Sequence, residues 1–96
     1  MVHHEPLLIE VVDSYGRVVA VNGRGLVSSA PATLVQHGKS RRIVAWAGPW
    51  PVDERWWDQR ARRAARFQLV IEQPDGQCAY LAEVAAGKWW LTAEYS

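Results

Sequence analysis

The sequence has little of what enzymes and disulfide-linked domains require. Its 96 residues include one cysteine, Cys78, and three histidines, two of which are neighbours near the amino terminus. A single cysteine excludes an internal disulfide, and with histidines so far away along the chain it has no zinc-ligand spacing. No serine or histidine stands in a recognisable catalytic motif. We therefore expect no enzyme activity, no cofactor and no metal site.

An excess of charge and long apolar runs are also lacking. Eleven Lys and Arg residues against ten Asp and Glu residues leave a net charge of +1, too small to imply nucleic-acid or membrane binding by bulk electrostatics. No apolar run approaches the roughly 20 residues of a membrane span, and the opening MVHHEP lacks the charged and apolar regions of a signal peptide. The lone cysteine fits a reducing compartment. These absences predict a cytoplasmic protein.

Tryptophan, in contrast, is abundant, with six in the chain. A domain of this size buries only about 60% of its unfolded surface, so the core is thin and large side chains must supply much of it. The chain is 49% hydrophobic and 22% charged, which is typical of a folded globular protein. We expect one small domain over residues 1–96.

Alternating apolar residues predict a mainly β fold. Leu7–Val12 and Arg17–Val21 predict a hairpin around a turn at residues 15–16, and Asn22-Gly23-Arg24-Gly25 predicts a further turn. Other short strands are predicted at Thr33–Val35, Arg42–Trp46, Phe67–Glu72, Cys78–Val84 and Lys88–Tyr95.

The segment between Trp46 and Phe67 predicts a break followed by a helix. Gly48, Pro49 and Pro51 should end the preceding strand, because proline cannot donate to a strand ladder. Asp53 is a plausible N-cap for one short helix running to about Arg66, with arginines toward its end. About seven short strands and this helix predict a small curved antiparallel sheet or partly open β-barrel, since closure buries one face of a sheet.

The direction of each tryptophan decides its role. Neighbours such as Trp89 and Trp90 cannot share a direction, so one should face the core and the other solvent. An exposed Trp beside Arg is common in protein interfaces, and stacking on unpaired bases is the rival use of the same chemistry. The partner-binding hypothesis rests on Trp50, Trp56, Trp57, Arg60 and Arg63.

A family resemblance follows from the segment WAGPWPVDERWWD, residues 46–58, together with residues 65–68 and the closing GKWWLTAEY, residues 87–95. The pattern resembles the carboxy-terminal module of actinobacterial ImuB-type proteins, Y-family DNA polymerase homologues of damage-induced mutagenesis, most strongly over residues 44–96. The resemblance implies a module of a longer chain that serves as a catalytically inactive scaffold. It implies an ImuA-type protein and an error-prone C-family polymerase as partners. The clamp-binding peptide of that family is not visible, so contact with the sliding clamp is expected to lie outside this sequence.

Two functions therefore stay open. The first is a non-catalytic protein-interaction module that helps assemble a translesion DNA synthesis complex on the nucleoid. The second is a small single-stranded DNA binding module that uses exposed Trp and Arg. The dependence of binding affinity on salt concentration distinguishes these two functions. Contacts to phosphates weaken steeply as ionic strength rises, whereas a protein interface anchored by tryptophan weakens much less. A small-molecule pocket inside a closed sheet is a third hypothesis.

Overall fold

Six antiparallel strands close into a barrel in the computed structural model, which describes residues 2–22, 24–52 and 64–95. The strands follow one another around the barrel in chain order, and the last strand pairs with the first. They are β1 (Val2–Val12), β2 (Thr33–Gln36), β3 (Lys39–Val52), β4 (Ala64–Gln73), β5 (Gly76–Ala85) and β6 (Lys88–Tyr95). The prediction of a small, mainly β domain is confirmed, and the sheet closes fully with six strands instead of about seven.

The pairing defines two ends of the barrel. β1 ends and β2 begins at what we call the upper end, where Val12 pairs with Thr33. The turn between β5 and β6, at residues 86–87, also lies at the upper end. The lower end carries the turns at residues 37–38 and 74–75, which connect β2 to β3 and β4 to β5.

The core follows the alternation of the strands. Phe67, Leu69 and Ile71 of β4 are buried, whereas Gln68 and Glu72 are exposed on the outer face. The strand predicted at Phe67–Glu72 is therefore confirmed, and its alternate side chains point to opposite faces of the sheet.

Tryptophan packs at the centre of the core. Trp89 is buried and Trp90 is half-buried on the outer face, which confirms that these neighbours point in opposite directions. The ring of Phe67 lies 4.9 Å from the ring of Trp89 and 6.1 Å from that of Trp46, measured between centroids. Such tilted aromatic pairs are favourable beyond the area they bury.

The predicted strand Arg17–Val21 is wrong. β1 pairs with β2 and β6, and residues 13–32 form a long connection whose described part contains two isolated bridges, Val12–Val18 and Val21–Val27. This segment packs against the barrel core without forming a strand, and Val19 is fully buried there. The indole N–H of Trp89 donates to the Val19 carbonyl oxygen at 2.8 Å and attaches the connection to β6.

Two polar side chains organise the same connection. The Asp13 carboxylate accepts hydrogen bonds from the backbone N–H groups of Tyr15 and Arg17 and from the Ser29 hydroxyl. The Asn22 side-chain oxygen accepts from the backbone N–H groups of Arg24 and Leu26. The turn predicted at Asn22 is therefore confirmed, and its chemistry is that of an Asx turn.

The predicted stop at Gly48, Pro49 and Pro51 is also wrong, since β3 continues to Val52. The pairing of β2 with β3 covers residues 39–42, so the prolines lie where β3 is paired with β4 alone. An edge tolerates proline because no ladder bond is needed on its outer side. A register shift between Ala47 and Trp50 further removes Gly48 and Pro49 from the regular ladder.

The predicted helix from Asp53 to about Arg66 does not extend to its expected end. Ala64, Ala65 and Arg66 form the start of β4 and pair with the end of β3. Cross-strand pairing with β3, and at Ala65 and Arg66 also with β5, overrides the helical preference of alanine and arginine at these positions. Residues 53–63 lie outside the described residues. In the three described ranges, no helix is long and apolar enough to span a bilayer.

Candidate binding surfaces

One level of the barrel wall carries a row of outward side chains that crosses five strands. Trp50 pairs with Arg66, Arg66 pairs with Glu83, Glu83 pairs with Trp90, and Trp90 pairs with Leu8. Directly paired residues of neighbouring strands share a face of the sheet. We call these five residues the outer row. At about 4.8 Å per strand the row extends for about 19 Å around the wall.

The two ends of the outer row are apolar and accessible. The Trp50 side chain is 46% exposed and the Leu8 side chain is 60% exposed. Trp90, next to Leu8, is half-buried. Exposed apolar side chains therefore lie at both ends of the row, separated by Arg66 and Glu83.

An ion pair occupies the centre of the outer row. The Arg66 guanidinium donates to one oxygen of Glu83 through Nη2 at 2.8 Å and through Nε at 3.3 Å. Both side chains are partly exposed, so the pair contributes little to stability, about 0–1 kcal/mol. Its main effect is to leave the row without net charge. The next outward level toward the lower end pairs Ala47, Gln68 and Leu81, which are also uncharged.

The residues proposed from the sequence are only partly placed. Trp50 lies in the outer row and is exposed, as its proposed role requires. The other four residues, Trp56, Trp57, Arg60 and Arg63, lie outside the described part of the chain. The sequence reasoning missed Leu8, Arg66 and Glu83, because their alignment depends on pairing between distant segments. The outward direction of Trp90 followed from that of Trp89.

A second surface lies at the lower end of the barrel. A cleft of about 840 Å³ opens between residues 39–42 of β3 and residues 72–74 at the end of β4. We call it the lower cleft. Three basic side chains line it, those of Lys39, Arg41 and Arg42, together with one carboxylate, that of Glu72. In the ranges that the structure describes, no carboxylate lies within 4.0 Å of any of the three cations.

A buried tyrosine supports the lower cleft from inside. Tyr80 is 2% exposed, and its hydroxyl oxygen accepts hydrogen bonds from Arg41 Nη1 at 3.0 Å and from Gln73 Nε2 at 3.3 Å. Burial raises the pKa of Tyr80 above its ordinary value of 10.0. The hydroxyl is therefore neutral near pH 7 and does not neutralise the charge of Arg41.

The side chains of the hydrophobic core occupy the barrel interior. A hollow of about 590 Å³ opens at the upper end. Its lining consists mainly of small residues and proline, namely Ala20, Gly25, Pro49, Pro51, Ala64, Ala65, Ala85, Ala86 and Gly87. Small-molecule sites combine apolar walls with a few convergent polar side chains. This lining has few such groups, so the small-molecule hypothesis gains no support from it.

The remaining reactive side chain has a structural position. Cys78 is buried and its thiol donates to the carbonyl oxygen of Tyr95 at 3.0 Å. It therefore serves as a small buried side chain. Among the residues with described positions, no group of three or more His, Cys, Asp or Glu side chains could hold a metal ion.

Comparison of the chain with protein-family models, with curated proteins and with solved structures gives no match. The outer row and the lower cleft are therefore interpreted from their own geometry.

Proposed function

We propose that this chain is a non-catalytic protein-interaction module and that the outer row is its binding surface. The observation that carries the proposal is the alignment of Trp50, Trp90 and Leu8 with one neutral ion pair on a single level of the wall. Large aromatic side chains are enriched at the energetic centres of protein interfaces, whereas unpaired charge is depleted there.

The alternative, single-stranded DNA binding, fits the outer row less well. Stacking platforms for bases work beside cations that are available to phosphates. The cation of the outer row, Arg66, is already bonded to Glu83 at 2.8 Å. A phosphate approaching this pair would meet the Glu83 carboxylate as well. An apolar protein surface meets no such opposition at this level of the wall.

The class of partner comes from the sequence resemblance. It favours a translesion synthesis complex on the nucleoid in the cytoplasm, with an ImuA-type protein or an error-prone C-family polymerase covering the outer row. Contact with a sliding clamp would then belong to sequence outside residues 1–96. In this scheme the barrel supplies a docking surface and performs no chemistry.

The proposal is tested by isothermal titration of the chain against each candidate partner. Trp50→Ala should weaken the correct complex by about 2 kcal/mol or more, because an anchor in an interface centre is lost. Affinity should change little between low and moderate salt, since the row is neutral.

Leucine provides a matched control. Leu8 and Leu26 are both 60% exposed, but only Leu8 lies in the outer row. Leu8→Ala should weaken binding and Leu26→Ala should not. If Leu8→Ala and Leu26→Ala had equal effects, or if affinity fell steeply with salt concentration, the partner would bind a surface other than the outer row.

A further inference from the structure

The lower cleft carries positive charge that is not paired with a described carboxylate. Among the described residues that line it are three cationic side chains and one carboxylate, an excess of two positive charges. A second carboxylate, that of Glu94, belongs to the strand position paired with Tyr80 and does not line the cleft. As described above, no carboxylate of the described ranges is paired with these cations. Structural arginines are commonly paired with carboxylates, as Arg66 is with Glu83. The cations of the cleft are therefore available to an anion from outside.

Arg41 is held in place for this role. One of its terminal nitrogens donates to Tyr80, whose hydroxyl is also held by Gln73. A guanidinium has five N–H donors, so most of them stay available for a second partner. A side chain that is already ordered loses less conformational entropy when it binds. Because Tyr80 is buried, it provides a rigid support for that arginine.

The cations are distributed along and across β3 and do not converge on one point. Lys39 and Arg41 occupy one face of the strand at a Cα separation of about 7 Å, while Arg42 occupies the other face. A compact dianion would be bound best by converging donors. A chain that carries one negative charge per repeat suits a distributed set of cations better.

The lining of the lower cleft is polar throughout except for Pro74. Its described residues include no aromatic or large aliphatic side chain, whereas protein interfaces are usually anchored by such side chains. Interfaces with nucleic acid are more polar and more positively charged. We propose that the lower cleft binds the sugar-phosphate backbone of a nucleic-acid strand through Lys39, Arg41 and Arg42. Its contacts are to phosphates, so it does not read sequence.

This site is separate from the outer row. Arg42 and Trp50 lie eight residues apart along β3, a distance of more than about 20 Å in an extended strand. One module can thus hold a protein on its wall and a nucleic-acid strand at its lower end.

The test uses the 96-residue chain and a fluorescently labelled oligo(dT) strand, with anisotropy measured over a series of salt concentrations. Binding should weaken linearly on a logarithmic salt scale. The double variant Arg41→Gln, Arg42→Gln should bind about tenfold more weakly at low salt, and its salt slope should fall by about 1.4, as expected for two lost phosphate contacts.

A matched control removes two exposed cations from the upper end. The double variant Arg24→Gln, Lys88→Gln has the same change in net charge, and neither residue lines the lower cleft. It should retain the affinity and the salt slope of the original chain. Equal losses in the two double variants would show that net charge alone attracts the strand and would overturn the proposal.

Two further measurements separate the alternatives. Tyr80→Phe removes the support of Arg41 while keeping the ring, and should weaken oligo(dT) binding roughly two- to tenfold. Thermal melting shows whether this variant is still folded. If it is not, the double variant Arg41→Gln, Arg42→Gln decides whether the lower cleft binds the strand.

An oligo-glutamate peptide of equal charge should compete poorly with oligo(dT). Stronger binding of that peptide, or full oligo(dT) affinity without Arg41 and Arg42, would contradict a nucleic-acid site.

Discussion

Gly48 determines one place where β3 departs from regular strand geometry. Its φ of +116° lies outside the range that L side chains ordinarily adopt, and a Cβ at this position would lie 2.8 Å from the carbonyl oxygen of Arg66. The bulge in β3 that carries the chain past Pro49 therefore depends on the absence of a side chain.

Gly48→Ala should lower the free energy of unfolding by more than about 2 kcal/mol, because backbone strain and a steric conflict with β4 act together. Gly38→Ala is the control, since Gly38 has a φ of +75° and no atom within 4 Å of its added Cβ. That change should cost only about 1–2 kcal/mol. Urea denaturation measures both, and equal losses would contradict the close approach of β3 and β4.

Among the elements, β4 is the strand on which the core depends most, because it pairs along its length with both β3 and β5. Phe67→Ala or Leu69→Ala should cost about 2–5 kcal/mol, since both side chains are fully buried. Gln68→Ala and Glu72→Ala, on the outer face, should change stability far less. Thermal melts that ranked these pairs in the opposite order would shift the register of the strand by one residue.

The connection between β1 and β2 gives a pH-dependent prediction. The backbone N–H of Arg17, assisted by the Ser29 hydroxyl and the N–H of Tyr15, holds the pKa of Asp13 below its ordinary value of 3.8. Because the pKa of Asp13 is lower in the folded protein than in the unfolded chain, its carboxylate stabilises the fold at pH values above the pKa of the unfolded state. That stabilisation is lost as the pH falls through the pKa of the folded state. The connection should therefore loosen in acid below about pH 4.

Asp13→Asn should lower stability at neutral pH and should reduce the further loss on acidification, because the amide does not titrate. Asp75→Asn, in the exposed lower turn between β4 and β5, is the control and should keep the acid sensitivity of the original chain. Thermal melts from pH 7 to about pH 3 distinguish the two. An unchanged acid profile in Asp13→Asn would show that another carboxylate is responsible.

For the whole molecule, the two proposed surfaces should act independently. They lie on different levels of one closed barrel, and effects at sites more than about 10 Å apart usually add. Trp50→Ala should weaken protein binding and leave oligo(dT) binding unchanged. Arg41→Gln with Arg42→Gln should do the reverse, and the triple variant should show both losses at their separate sizes. Titrations of the triple variant with each ligand measure this, and a coupling above about 0.5 kcal/mol would show that the surfaces communicate.

Much of the architecture could be predicted from local patterns. The alternation of apolar residues predicted the strands β4, β5 and β6, and the neighbours Trp89 and Trp90 were assigned to opposite faces. These predictions succeed because the steric geometry of a strand sends successive side chains to opposite sides wherever the strand lies. Composition, in the form of tryptophans close to arginines, identified Trp50 as a candidate for an exposed interface residue.

Only the tertiary structure decided which segments pair. Residues 17–21 have the alternation of a strand but cover the core as part of a connection. β3 continues through two prolines, which have no N–H to donate, because β2 is too short to pair with that part of the strand. The outer row likewise exists only after closure brings Leu8 of β1 beside Trp90 of β6. Register between distant segments follows from the total free energy of burial and pairing over the closed barrel. Local sequence determines the faces of each strand, and long-range packing determines which faces meet.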